Sequence, residues 1–219
     1  LVIRQMPATR AAVQGRQAVR LPTLREIGGL VLNRRFMTVT GLAATTREYD
    51  AGIGATLTGG TLSGLIGSET LGLGTSAGVF ANKNVGAGKA VTVMVGSLSN
   101  GSNGGLASNY TVTAPTGITG TITAKTLTWV NLALDPSKEY DGNTTGSINK
   151  GSLTGYVGGE TLTSGSIATY ADKNAGNNKV VTIHTTLGNG SGGLASNYTL
   201  ADTTLTSSIT PKALTVTGA

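Results

Sequence analysis

The chain has no cysteine, so it can form neither a disulfide framework nor a thiolate metal site. Its single histidine, His184, excludes a Ser-His-acid triad or a histidine-bound zinc in each of several equivalent units. No apolar run approaches the ~20 residues of a helical membrane span, and the opening residues lack the pattern of a secretory signal. The missing initial Met is what a piece of a longer polypeptide would show. Aromatic residues make up 4% and charged residues 12% of the 219, which argues against a surface that stacks nucleic-acid bases. The glycine-rich strings contain no Gly-Lys-Ser/Thr, so a phosphate cradle is not expected.

Glycine is abundant instead, with 34 copies, and Thr and Val alternate between Gly, Asn and Ser breaks. That pattern predicts short strands joined by tight turns. Charge is confined. Residues 1–37 hold seven Arg against one acid, Glu26, whereas the remainder balances nine basic residues with nine acids. The formal charge of +6 therefore belongs to a leading segment, which reads as an arm or the end of an upstream domain. Within it, Thr23-Leu24-Arg25-Glu26 has the form of a capping box, weakened by Gly28-Gly29. Such an arm could meet acidic polysaccharide, lipid headgroups or DNA electrostatically, or add a strand to a neighbour's sheet edge.

The rest repeats. GGLASNYT occurs at 104–111 and again at 192–199. Glu48-Tyr49-Asp50 recurs as Glu139-Tyr140-Asp141, Ala81–Asn84 as Ala171–Asn174, and Ile122–Thr128 as Ile209–Thr215. Spacing drifts only from 91 residues (Tyr49 to Tyr140) to 87 (Leu127 to Leu214). Leu214–Gly218 also copies Met37–Gly41, as the opening of a further repeat would. The expected organisation is a leading segment at 1–37, modules at 38–126 and 127–213, and the start of another repeat at 214–219. Each module has the size of an all-β, immunoglobulin-like sandwich, with a β-solenoid or another small β fold as the alternative. Strands are expected in the second copy at 126–134, 152–155, 160–163, 167–171, 179–187, 197–201, 204–210 and 213–217, with turns at 142–146, 155–159, 174–178 and 188–193. The join at 124–133 reads as one strand running from module to module, with Trp129 packed there.

Glu-Tyr-Asp-Gly (139–142), Tyr-Ala-Asp-Lys-Asn-Ala-Gly (170–176), Leu-Ala-Ser-Asn-Tyr-Thr (194–199) and Ile-Thr-Pro-Lys-Ala-Leu-Thr-Val (209–216) together resemble the YDG repeat of long bacterial surface and secreted proteins, including filamentous-haemagglutinin-type adhesins. In the first copy Ala51 replaces the Gly of Tyr-Asp-Gly, and Asn82 replaces the Asp of Ala-Asp-Lys-Asn. The resemblance implies an extracellular, mainly β extender or adhesin module, and it carries over no catalytic residue and no cofactor.

The repeat-signature residues are Tyr49, Asp50, Lys83, Asn84, Asn109 and Tyr110 in the first copy, and Tyr140, Asp141, Gly142, Asp172, Lys173, Asn174, Asn197 and Tyr198 in the second. Structural roles are expected of them. Asp50 and Asp141 accept turn N–H groups, Tyr110 and Tyr198 pack in a core or at an edge, and Lys83 and Lys173 pair with the Asp of Tyr-Asp. Sharper alternatives are calcium on Asp141, Asn143, Asp172 and Asn174, an isopeptide link from the lysines to Asn or Asp, and a glycosidase pair of Asp141 and Glu160. His184, where the first copy has Met94, reads as a strand-face side chain. A non-enzymatic stalk of a surface or matrix adhesin follows, with neighbouring repeats as partners. Self-association and extracellular polysaccharide remain open as further partners, and specific nucleic acid does not. Glycan binding through the Asn/Tyr/Asp turns is the alternative function.

Overall fold

The computed structural model describes residues 34–218. The basic segment up to residue 33, with its capping-box motif, lies outside the described residues. Two three-residue 3-10 turns aside, the described chain is strand, turn and loop, so the protein is all-β. No described helix is long and apolar enough to cross a membrane.

Alternation makes the strands. Along Gly176–Asn189, Val181 and Ile183 are buried while Val180, Thr182 and His184 face solvent, because successive side chains point to opposite sides of a sheet. Each repeat builds a five-stranded sheet in the same order. In the first, Arg47–Glu48, Thr119–Thr123, Gly86–Met94, Ala77–Phe80 and Gly54–Ala55 lie side by side; in the second, Ser137–Glu139, Thr203–Thr210, Gly176–Asn189, Leu162–Tyr170 and Thr145–Gly146 do. The earliest and latest strands of each set pair in parallel and the other pairs are antiparallel.

A smaller layer also repeats. Arg35–Thr40 pairs in parallel with Tyr110–Thr113 and antiparallel with Thr61–Ser63. In the second copy, Lys125–Thr126 takes the parallel partner Tyr198–Thr199, and Thr128–Leu134 takes the antiparallel partner Ile148–Thr154. Register agrees to the residue, with Arg35 opposite Tyr110 and Lys125 opposite Tyr198.

Several expectations shift. The strands expected at 160–163 and 167–171 are one strand, Leu162–Tyr170, in a long hairpin with Gly176–Asn189. The turn expected at 142–146 ends earlier, because Thr145–Gly146 pairs with that hairpin. Residues 213–217 form no strand: Leu214 and Val216 are 92% and 97% exposed, and a strand persists only on a ladder. The join is close to the expected single strand, since Thr119–Thr123, Lys125–Thr126 and Thr128–Leu134 are interrupted only at Ala124 and Leu127. Trp129 lies over Gly151 of its own hairpin, where the absence of a Cβ leaves room for the indole, rather than across the join.

One core gathers Tyr49, Phe80, Val91, Val93 and Ile122 with Leu127 and Tyr198 of the second copy. Another holds Ala168, Tyr170, Val181, Ile183 and Ile209. The copies vary in concert. Tyr170 donates its O–H to Ser207 Oγ at 2.8 Å, whereas the matching pair is Phe80 facing Gly120, with neither hydroxyl present.

Candidate functional site

GGLASNYT is a device for placing a tyrosine. Gly104 and Gly192 take left-handed φ of 86° and 70°. A Cβ on Gly105 would sit 1.9 Å from the Thr70 carbonyl oxygen, and one on Gly193 would sit 2.7 Å from that of Thr161, so the loop can close only on glycine. Asn100 and Asn189 then accept the N–H of Ala107 and Ala195, each at 2.8 Å, and start the 3-10 turns Ala107–Asn109 and Ala195–Asn197. Tyr110 and Tyr198 emerge from those turns buried. Tyr110 donates to Glu69 Oε2, and Tyr198 donates to Glu160 Oε2 at 2.8 Å. Each phenol oxygen accepts a backbone N–H, from Ile66 and Val157, at 3.3 Å.

Glu160 does more than its twin. Only 6% exposed, it also receives the Tyr49 hydroxyl at 2.7 Å and the Lys83 ammonium at 2.5 Å, both from the first module. Beside it, Asn197 is wholly buried: Val85 N–H donates to its Oδ1 at 2.9 Å, which turns its Nδ2 toward Asn84 Oδ1 at 3.1 Å. The Tyr49 and Tyr198 rings meet edge to face at 5.5 Å, and Lys83 Nζ lies 5.9 Å from the Tyr49 ring centre. The site is therefore a joint, closed by an apolar seam and by a carboxylate with three donors. Among the signature residues it unites Tyr49, Lys83, Asn84, Asn197 and Tyr198.

Burial alone would raise the Glu160 carboxyl, but hydrogen bonds from Lys83, Tyr49 and Tyr198 outweigh it and hold the group below its ordinary value. Burial raises Tyr49 and Tyr198, and hydrogen bonding to the anion raises Tyr49 further. The bond to Glu160, followed by that to Tyr49, raises Lys83. A carboxyl lowered by folding stabilises the native state above its unfolded value of 4.5 and loses that contribution as pH falls through the lower folded value. Urea unfolding of Glu160→Gln beside the parent chain should therefore show a stability gap that is full near neutrality and narrows below about pH 4.5. A gap constant down to about pH 2 would remove the anion from the joint.

The remaining signature residues build turns. Asp50 accepts the Gly52 N–H at 2.7 Å, Asp141 that of Asn143 at 3.1 Å, and Asp172 that of Asn174 at 2.9 Å. Each carboxyl is held below its ordinary value, chiefly by its cation: Arg47, Lys138 and Lys179 respectively. Asn82, which replaces the Asp, accepts from the equivalent two groups, Asn84 N–H at 3.1 Å and Lys89 Nζ at 2.6 Å, so the turn keeps its hydrogen bonds and loses the ion pair that Asp172 makes with Lys179. The expected pairing of Lys83 with Asp50 is thus replaced, because Arg47 has Asp50 and Lys83 reaches Glu160 across the joint. Of the four residues weighed for calcium, Asp141 and Asn143 already hold an ammonium, Lys138 Nζ lying 2.8–3.0 Å from Asp141 Oδ1, Asn143 O, Asn143 Oδ1 and the Thr145 carbonyl. Asp172 is engaged separately, by Lys179 Nζ at 2.6 Å. His184 is exposed on its strand and meets Asp202 at 2.7 Å.

Ala51 and Gly142 explain the Tyr-Asp-Gly departure. Both occupy left-handed backbone, at φ 65° and 82°, a region that costs an L side chain about 1 kcal/mol. Ala51→Gly should therefore leave stability unchanged or raise it by up to ~1 kcal/mol in urea unfolding, even though Gly is more flexible when unfolded.

Asn109, Tyr110, Tyr140, Lys173 and Asn174 hold the same positions at the two outer ends, and Gly142 closes the second Asp turn. Glu160 is missing from the signature set. Its recurrence with Glu69 at the repeat spacing was the available signal, in a chain with few acids.

The family model described as YDG domain matches twice, at residues 33–117 and 123–205. No curated protein and no solved structure matches the chain. The two matches take in most of the sequence, and each contains one Glu–Tyr pair and one Tyr–Lys–Asn set of the kind that meet at the joint: the chain belongs to the YDG domain family and carries two of its domains in tandem.

Proposed function

We propose that the protein is a structural extender, a pair of stalk repeats from a secreted bacterial adhesin at the cell surface or in the extracellular matrix, and that it is not an enzyme. The joint carries this reading. A spacer must hold its neighbours in fixed relation, and here module two places Glu160, Asn197 and Tyr198 against Tyr49, Lys83 and Asn84 of module one. The finer picture of each module as an immunoglobulin-like sandwich belongs to the same proposal, with the smaller layer facing the five-stranded sheet. Glu160 is engaged by three donors, which suits a fastener better than a general acid.

The glycan-binding alternative would use Asn197 and Tyr198, but both are buried in the joint, which favours the spacer. Small-angle scattering of the full chain, run beside a glycan array, tests the choice. A spacer gives one elongated form with a narrow range of inter-module distances and retains no sugar. Independently tumbling modules, or sugar retention abolished by Asn109→Ala, would overturn it.

A further inference from the structure

The joint has two unlike halves, and the chain presents each of them once more at its outer ends. One half is Tyr49, Lys83 and Asn84. Its copy in the second module is Tyr140, Lys173 and Asn174, and here Lys173 and Asn174 are exposed and Tyr140 half-buried, whereas Tyr49 is 1% exposed. The other half is Glu160, Asn197 and Tyr198. Its copy is Glu69, Asn109 and Tyr110, where Asn109 is exposed and Glu69 half-buried, against a fully buried Asn197 and a nearly buried Glu160. Glu69 already holds the Tyr110 hydroxyl, as Glu160 holds that of Tyr198.

The space between the first set is also recognisable. A cleft of ≈ 400 Å³ is lined by Tyr140, Asn174, Ala175, Pro211, Lys212 and Leu214. The repeat maps those residues onto Tyr49, Asn84, Val85, Ala124, Lys125 and Leu127, several of which hold the occupied joint. Leu214 is 92% exposed where Leu127 is 1% exposed, so the cleft is the open half of a joint seen closed elsewhere in the same molecule. Among the described residues Lys173 has no acidic partner, and Glu69 has no cationic one.

We infer that the Tyr140–Lys173–Asn174 end is a docking site for the Glu69–Asn109–Tyr110 end of a second copy of this chain. The contact is head to tail and heterologous, so it propagates into a filament rather than closing as a symmetric dimer. Lys173 would meet Glu69, the Tyr140 hydroxyl would share that carboxylate with Tyr110, and Asn174 would take Asn109. Met37 of the incoming strand Arg35–Thr40 takes the place that Leu127 fills in the closed joint, and the exposed segment Lys212–Gly218, which repeats Thr38-Val39-Thr40 as Thr215-Val216-Thr217, gives way with Leu214. The inference rests on the spacer reading, because it reuses the same joint.

Sedimentation velocity of the full chain from ~1 μM to ~1 mM tests it, with Lys173→Glu, Glu69→Lys and their equimolar mixture alongside. The expected result is association that grows with concentration and weakens at least ~10-fold in either variant alone, since each opposes like charges at the contact. The mixture should recover association, because the intact Glu69 end of one variant meets the intact Lys173 end of the other, and the exchanged charges at the two substituted ends are again opposite. Lys173→Glu alters only an exposed side chain, so it also serves as a chain terminator when titrated into the parent, whatever Glu69→Lys does to folding. A full chain that stays monomeric, or association that ignores both substitutions, overturns the proposal. So does a monomeric chain in which Lys173 becomes protected only when a further copy of 34–126 is fused after residue 219, which would assign the cleft to a covalent neighbour. Scattering keeps the two readings apart: a stiff monomer ends the docking and leaves the spacer, whereas loosely tethered modules end the spacer.

Discussion

Glu160→Ala should lower the stability of the chain by ~3 kcal/mol and split its unfolding into two transitions. The magnitude comes from the groups left behind. Tyr49 and Tyr198 are 1% and 5% exposed, and each would lose the acceptor of a buried hydroxyl, at ~1–3 kcal/mol apiece. Val157 N–H still donates to the Tyr198 oxygen, but the phenol's own O–H is left without its acceptor, so both hydroxyls count. Lys83 adds little, since its side chain is 38% exposed and regains water. Coupling is lost as well. The first core runs through the joint to Leu127 and Tyr198, while the second core is separate, so loosening the seam leaves two units of unequal stability. Calorimetry of the full chain reads both effects. Glu160→Gln keeps an acceptor oxygen and should cost less, and a loss under ~1 kcal/mol for Glu160→Ala would show that apolar packing alone holds the joint.

Much of this was legible in the residues. The Gly/Thr/Val alternation and the twice-spelled GGLASNYT gave the all-β character and the two copies, because local turn chemistry is written locally. Asp50 and Asp141 were readable as turn carboxylates for the same reason. The joint was not. Glu160 and Lys83 are 77 residues apart, and Glu160 and Tyr49 are 111 apart, so no period or spacing links them. Repetition itself concealed the answer, since it invites pairing Lys83 with a partner inside its own copy. The correct partner lies in the next copy, where a carboxylate held by its own tyrosine still has an oxygen to offer. The long hairpin of the second module was hidden for a different reason: Gly165 and Gly188 look like strand breakers, yet both lie within its ladder.

Tyr49 and Tyr140 offer the sharpest control, being one residue of the repeat in two settings. Tyr49→Ala removes a ring packed edge to face on Tyr198 and a hydroxyl donated to Glu160, and should cost ~4–5 kcal/mol, the upper range for a large aromatic truncated in a core. Tyr140→Ala removes the same atoms from a half-buried site whose hydroxyl meets no described partner, and ~1–2 kcal/mol is expected from lost apolar area. Tyr49→Phe isolates the hydroxyl and should fall between ~1 and ~2 kcal/mol, because Glu160 keeps Lys83 and Tyr198. Urea unfolding of the three variants at low protein concentration measures the set. Equal costs for Tyr49→Ala and Tyr140→Ala would mean that the ring serves its own module and that the joint adds nothing. Raising the protein concentration adds a second dimension. If a second copy closes the outer cleft, the cost of Tyr140→Ala should climb toward that of Tyr49→Ala while the cost of Tyr49→Ala stays fixed, since only Tyr140 then gains a partner it lacked.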